Sequence, residues 1–165
     1  MKINDDHMYH GAALTQIAED ESFTSINAVR FSRKLSRSAF RVNETIGVYL
    51  KYAGKPVGSD YIFTFSQENK RELKKLDELC ESVFIAMVCF KDRQICCISF
   101  EEFIKWLNQR TLALGEVESN STILVNLPKG KAFRVNMNQP GRRNLYLAKP
   151  QIVARNRFPS VIFKK

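Results

Sequence analysis

The chain has little of what most catalytic chemistries require. Its two histidines, His7 and His10, both lie near the N-terminus, so no Ser/His/Asp or Cys/His arrangement is readable. Its four cysteines, Cys80, Cys89, Cys96 and Cys97, lack the paired short Cys/His intervals of a zinc site. Three of them sit inside apolar runs, where a free thiol behaves as a small core residue. Unpaired thiols fit a reducing compartment, and a cytoplasmic location is the expectation. Neither GxGxxG nor GxxxxGK(S/T) occurs, so no nucleotide cofactor is expected. No stretch reaches the roughly 18 uncharged apolar residues of a membrane helix, so no membrane span is expected. The first ten residues are polar and include Asp5 and Asp6, unlike a secretion signal.

Acid is scarce in particular places. The last acidic side chain is Glu118. Residues 119–165 hold ten basic residues: Lys129, Lys131, Arg134, Arg142, Arg143, Lys149, Arg155, Arg157, Lys164 and Lys165. The first 118 residues carry the other 16 basic groups against all 17 acids. The net charge of +9 is therefore a property of the C-terminal segment. A second acid-free run, residues 22–43, holds Arg30, Arg33, Lys34, Arg37 and Arg41. A surface without acids does not neutralise its own cations, so it attracts phosphate and releases counterions on binding. Nucleic acid, DNA before RNA, is the expected partner, and an acidic protein the alternative.

What is present is enough for a core. The chain has 165 residues, 44% of them apolar, with 12 Phe, which excludes low-complexity disorder. Helical spacing predicts a helix over residues 9–20. A polar basic turn is expected at 33–38, a strand at 39–43 and a turn at 43–45. Residues 46–52 alternate, with Val48, Leu50 and Tyr52 on one face and Gly47, Tyr49 and Lys51 on the other. An aromatic strand is expected at 61–65, in the same sheet as 46–52. Ser66 can cap a helix reaching residue 81, with Leu73, Leu76, Leu79 and Cys80 as its buried stripe. The apolar run 83–90 reads as a strand buried on both faces, with a partner strand at 95–98. Ser99 and Glu102 have capping-box spacing for a helix to about residue 109, with Trp106 at its edge. Short strands at 122–127 and 132–137 flank a turn at Pro128. The expectation is an α/β fold with a mixed sheet flanked by helices over residues 1–112, and a basic β-rich extension over 113–165.

The segments GVYLKY, YIFTF, SQENKRELKKL and VFIAMVC occur in that order. A strand ending in Lys, then an aromatic strand with Thr, a Ser-initiated helix and an apolar strand, resembles the restriction-endonuclease-like fold. This is the PD-(D/E)xK nuclease superfamily, and the likeness is to its Mrr-like, defence-associated branch. The resemblance implies a site in which carboxylates hold Mg²⁺ and a strand Lys assists electrostatically. Lys51 matches the family Lys. Two positions earlier, where the family has an acid, stands Tyr49, and Asn43 stands where the preceding strand usually carries Asp. The resemblance therefore implies a degenerate site.

Three functions follow as expectations. The first is nucleic-acid binding without catalysis, through Arg33, Lys34 and Arg37 and through Lys129, Lys131, Arg134, Arg142, Arg143, Arg155 and Arg157. The second is a Mg²⁺-dependent nuclease using Lys51 with Glu19, Glu44 or Asp60, the only case in which a metal is implied. The third is a protein-interaction module for an acidic partner. Among the C-terminal aromatics, Phe133 and Phe163 read as core.

Overall fold

The structure, a computed structural model, describes residues 1–164, the side chains of Arg143 and Asn144 excepted. Lys165 and the Arg143 side chain thus lie outside the described residues. Helix α1 (Asp5–Glu19) opens on a capping box between Asn4 and His7, with Asp5 and Asp6 in its first turn. It starts before the expected residue 9. The reciprocal cap satisfies orphan N–H groups and the acids favour the positive helix end, so polar residues still begin a helix there.

Strands β1 (Ile26–Phe31) and β2 (Lys34–Val42) form a hairpin around Ser32 and Arg33, both at positive φ (50° and 69°). The basic turn expected over 33–38 is therefore mostly strand. A two-residue turn of this kind matches strand twist, so pairing resumes at Lys34. Asn43 and Glu44, also at positive φ, turn the chain into β3 (Ile46–Ala53). Then follow β4 (Asp60–Phe65), α2 (Gln67–Leu79) and β5 (Ser82–Cys89). Next come β6 (Gln94–Ser99) and α3 (Phe100–Leu114), which ends on Gly115 at φ 87°. Ser66 caps α2 as expected, in a capping box with Asn69, and Ser99 and Glu102 form the capping box that starts α3 as their spacing implied. The chain is α/β, and its first sheet is mixed: order β1-β2-β3-β5-β6, with β3 and β5 parallel and the other neighbours antiparallel.

The placement of residues 61–65 in that sheet is corrected. β4 leaves it and pairs antiparallel with β7 (Ser121–Asn126). Tyr61, Phe63 and Phe65 are buried while Ile62 and Thr64 are exposed, so β4 has one apolar face. β5, apolar on both faces, takes the interior place beside β3 instead. β8 (Phe133–Asn136) and β11 (Gln151–Val153) complete a second sheet, order β11-β8-β7-β4. Between them β9 (Asn138–Gln139) pairs with β10 (Arg142–Tyr146).

Two apolar layers hold the sheets. Ala13 and Ile17 of α1 pack on Val48, Leu50, Ala86 and Val88, and Phe158 and Ile162 from the chain end close that layer. Across the first sheet, Tyr49, Ile85 and Met87 pack with Phe65, Leu73, Leu76 and Phe103, and with Ile123, Phe133 and Val135. Residue 112 thus falls inside α3, and strands beyond it share this layer with β4. Trp106, expected at an edge, is in the layer, with Nε1 donating to Gln151 Oε1 at 3.3 Å. Cys89, Cys96 and Cys97 are buried free thiols, and burial pushes Cys89 and Cys97 up to about 12. Among the described residues no helix is long and apolar enough to cross a membrane.

Candidate nucleic-acid interface

The alternation of β3 sends Tyr49 and Lys51 toward α2. Gly47 lets the helix come close, since a Cβ there would stand 2.7 Å from Leu76 Cγ and 3.0 Å from Val83 Cγ2. On α2, Asn69 and Glu72 are one turn apart and share a flank with Leu73 and Leu76. Asn69 Oδ1 accepts from Ser66 N at 3.0 Å, closing the capping box, and from Lys51 Nζ at 3.2 Å. Asn69 Nδ2 donates to the Tyr49 hydroxyl at 3.0 Å, which itself donates to Glu72 Oε1 at 2.9 Å. Lys51 Nζ also lies 5.2 Å from the centroid of the Phe65 ring, a cation–π contact.

Burial sets the electrostatics of this cluster. It lowers the Lys51 ammonium from its usual value, opposed by the charge of Glu72. It raises the Tyr49 phenol, and the Glu72 carboxylate adds to that, so Tyr49 stays a neutral donor.

Outside the cluster a groove of about 570 Å³ runs between the β1–β2 hairpin and α2. Lys34 and Arg37 stand on one wall and Arg71 and Lys75 on the other, with Glu68 and Glu72 between them. The wall cations are exposed: the side chains of Lys34 and Arg37 are 82% and 77% accessible. Their ion pairs, Lys34 to Glu68 at 3.8 Å and Arg37 to Asp6 at 3.6 Å, are open to solvent and too weak to hold them. The groove therefore presents solvent-exposed cations at its rim, with the Lys51 ammonium held behind Asn69 of its wall.

The carboxylates expected to join Lys51 do not reach it. Glu19 is exposed on α1, which packs on the opposite face of the sheet. Glu44 is exposed in the turn before β3, roughly 20 Å along the strand from Lys51. Asp60 opens β4, about 16 Å along the strand from Phe65. Asn43, which stands where the resemblance would place an Asp, is tied elsewhere: its Oδ1 accepts from Thr24 N at 2.7 Å and its Nδ2 donates to the Ser22 carbonyl at 2.7 Å. The acid that meets the cluster is Glu72, which the sequence reading missed. Its signal was the i, i+3, i+4 and i+7 positions of Asn69, Glu72, Leu73 and Leu76. The donors at Lys51 are one carboxylate engaged by a phenol, one amide and the phenol itself. Mg²⁺ is usually held through one or two carboxylates together with waters and phosphate oxygens, and the one carboxylate here already accepts from the Tyr49 hydroxyl. Among the described residues no three His, Cys, Asp or Glu side chains converge as metal ligands.

The other basic candidates divide into two kinds. Arg33 in the hairpin turn, Lys129 and Lys131 beside Gly130, and Arg142 on β10 are exposed. Arg155 donates from Nε to the Lys131 carbonyl at 2.6 Å and from Nη2 to the Pro128 carbonyl at 2.9 Å. Arg134 donates to the Ala132 carbonyl at 2.9 Å. Arg157 donates to the Cys97 carbonyl at 3.1 Å and pairs with Glu102 at 2.9 Å. No family model, curated protein or solved structure matches the chain.

Proposed function

We propose that this protein binds nucleic acid, DNA in the first instance, along the groove between the β1–β2 hairpin and α2, without cleaving it. The observation that carries this reading is the cationic rim of Lys34, Arg37, Arg71 and Lys75 over a groove lined by Asn69, which accepts from Lys51 behind it. Exposed lysines and arginines on two facing walls suit the phosphates of a strand lying between them. The nuclease-like reading is supported by the order β3, β4, α2, β5 with Lys51 late in β3. The degenerate reading is supported by Tyr49, whose hydroxyl occupies Glu72. Lys51 then acts as a fixed cation for a phosphate oxygen.

The test is fluorescence anisotropy with a labelled duplex oligonucleotide at several salt concentrations. Replacing Lys34, Arg37, Arg71 and Lys75 with Ala together is expected to weaken binding across all sequences tried. The slope of log K against log salt should flatten by about 0.9 for each phosphate contact removed. A folded quadruple variant with unchanged slope would remove the groove from the binding surface. Wild-type protein that fails to bind at low salt would shift the reading to an acidic protein partner. A plasmid assay with Mg²⁺ or Mn²⁺ is expected to show no cleavage, and metal-dependent cleavage abolished by Lys51→Ala would establish the nuclease instead.

A further inference from the structure

A cleft of about 390 Å³ lies between α1 and the β1–β2 hairpin, on the face of the first sheet opposite α2. Two short residues leave it open. Gly11 lines it from the helix, where an added Cβ would meet nothing within 4 Å, and Ala28 lines it from β1. Ala28 pairs with Phe40 across the hairpin, so the two project from one face of the strands. Leu14 and Phe40, packed on the core beneath, give the cleft an apolar floor. Leu35 adds a further apolar wall and is 47% exposed. A largely apolar cleft of this size with a few polar groups around it has the form of a small-molecule site.

Which polar atoms are available decides the chemistry. His10 is committed, since its Nδ1 donates to the Arg37 carbonyl at 3.0 Å. Ser36 Oγ accepts from Ser38 N at 3.2 Å and from Ala39 N at 3.0 Å. His7 is held the other way round. Its Nδ1 accepts from Asn4 N at 3.1 Å in the capping box, so its proton sits on Nε2 and the exposed ring offers a donor. The Arg37 side chain is exposed, and its guanidinium meets Asp6 at 3.6 Å in a pair that solvent screens. Asp6 stands in the first turn of α1, where the positive helix end offsets its charge. The cleft therefore has two accessible donors, one of them charged, and one carboxylate that is already compensated. The net charge of +9 also favours an anion over a cation. We propose that this cleft binds a small apolar monocarboxylate. Its acid group accepts from the Arg37 guanidinium, in place of Asp6, and from the His7 Nε2–H. Its hydrocarbon body lies along Gly11, Leu14 and Phe40.

The full chain, labelled with ¹⁵N, is titrated separately with hydrocinnamate, its neutral amide and phenethylamine while amide shifts are followed. Hydrocinnamate is expected to give saturable shifts at Gly11, Leu14, Ala28 and Leu35 with millimolar affinity. The neutral amide should bind about tenfold more weakly, because it lacks the charge-assisted bond. Arg37→Gln should weaken hydrocinnamate by about the same factor and leave the amide unchanged, a split that general loosening of the hairpin would not give. Gly11→Leu fills the cleft and should abolish binding of both. Its melting temperature should hold or rise, because leucine replaces a helical glycine. Should that variant fail to fold, Ala28→Leu fills the cleft from the facing wall and should have the same effect. The proposal is overturned if hydrocinnamate gives no saturable shifts up to its solubility limit. Full affinity in Arg37→Gln, or in a folded variant with the cleft filled, overturns it equally. Phenethylamine binding more tightly than hydrocinnamate would assign the site to Asp6 and a cation, and overturn it too.

Discussion

The two acid-free stretches, residues 22–43 and 119–165, have similar densities of basic residues, five in the first and ten in the second. The fold treats them differently. In the first, Lys34 and Arg37 extend into solvent over a groove, and Arg33 sits exposed at the hairpin turn. In the second, Arg134, Arg155 and Arg157 turn back onto backbone carbonyls. Short strands and turns leave carbonyl groups that no ladder satisfies, and a guanidinium with five donors fits them. A run without acids therefore does not by itself make a free cationic surface. Part of the second stretch is structural cross-linking, while Lys129, Lys131, Arg142, Lys149 and Lys164 are exposed.

The comparison breaks most visibly at Arg157. Arg157→Ala removes the donor to the Cys97 carbonyl and the ion pair of Glu102, which keeps only its bond from Ser99 N, so it should cost about 3 kcal/mol in urea unfolding. Oligonucleotide affinity, measured below the unfolding transition, should change little. A stable variant with a flattened salt slope would make Arg157 a phosphate contact after all.

Gly47→Ala comes next. The added methyl meets Leu76 and Val83, and seating α2 again should cost about 2 kcal/mol by thermal or chemical unfolding. Because α2 carries Arg71 and Lys75, binding should weaken as well. Unchanged stability and binding would mean that α2 shifts without disturbing the groove.

Paired substitutions sharpen the contrast directly. Lys34→Ala with Arg37→Ala should weaken oligonucleotide binding by about tenfold at low salt and flatten the slope by one to two units. Lys129→Ala with Lys131→Ala should do less. The reverse order in anisotropy titrations would move the interface to the second sheet.

The smallest effect is in pH. Burial lowers His10 below 6.5, while its Nδ1 meets the Arg37 carbonyl at 3.0 Å and ties α1 to the groove strand. Asp6 and Lys51 act on it in opposite directions. With the folded value depressed, the unfolded chain binds the proton first, so stability falls as pH drops below 6.5 toward the folded value. Unfolding midpoints compared between wild type and His10→Phe should diverge in that window. Parallel curves would show that His10 carries no such linkage.

The starts of α2 and α3 were legible because caps are local: Ser66 and Ser99 each stand immediately before the helix they open. The faces of β3 were legible because side chains alternate, which sends Tyr49 and Lys51 to one side whatever the partner. The destination of β4 was not, since pairing depends on which strand competes best for the place beside β3, and that competitor is distant in sequence. The same holds for the acid at Lys51. Glu72 arrives through the docking of α2 on Gly47, while Glu19, Glu44 and Asp60 are carried away by their own elements. The sequence by itself determined the charge distribution, the caps and the alternation, because each depends only on composition or neighbours. Only the tertiary structure decided which cations stay free and which carboxylate meets the lysine, because those depend on contacts between residues far apart in the chain.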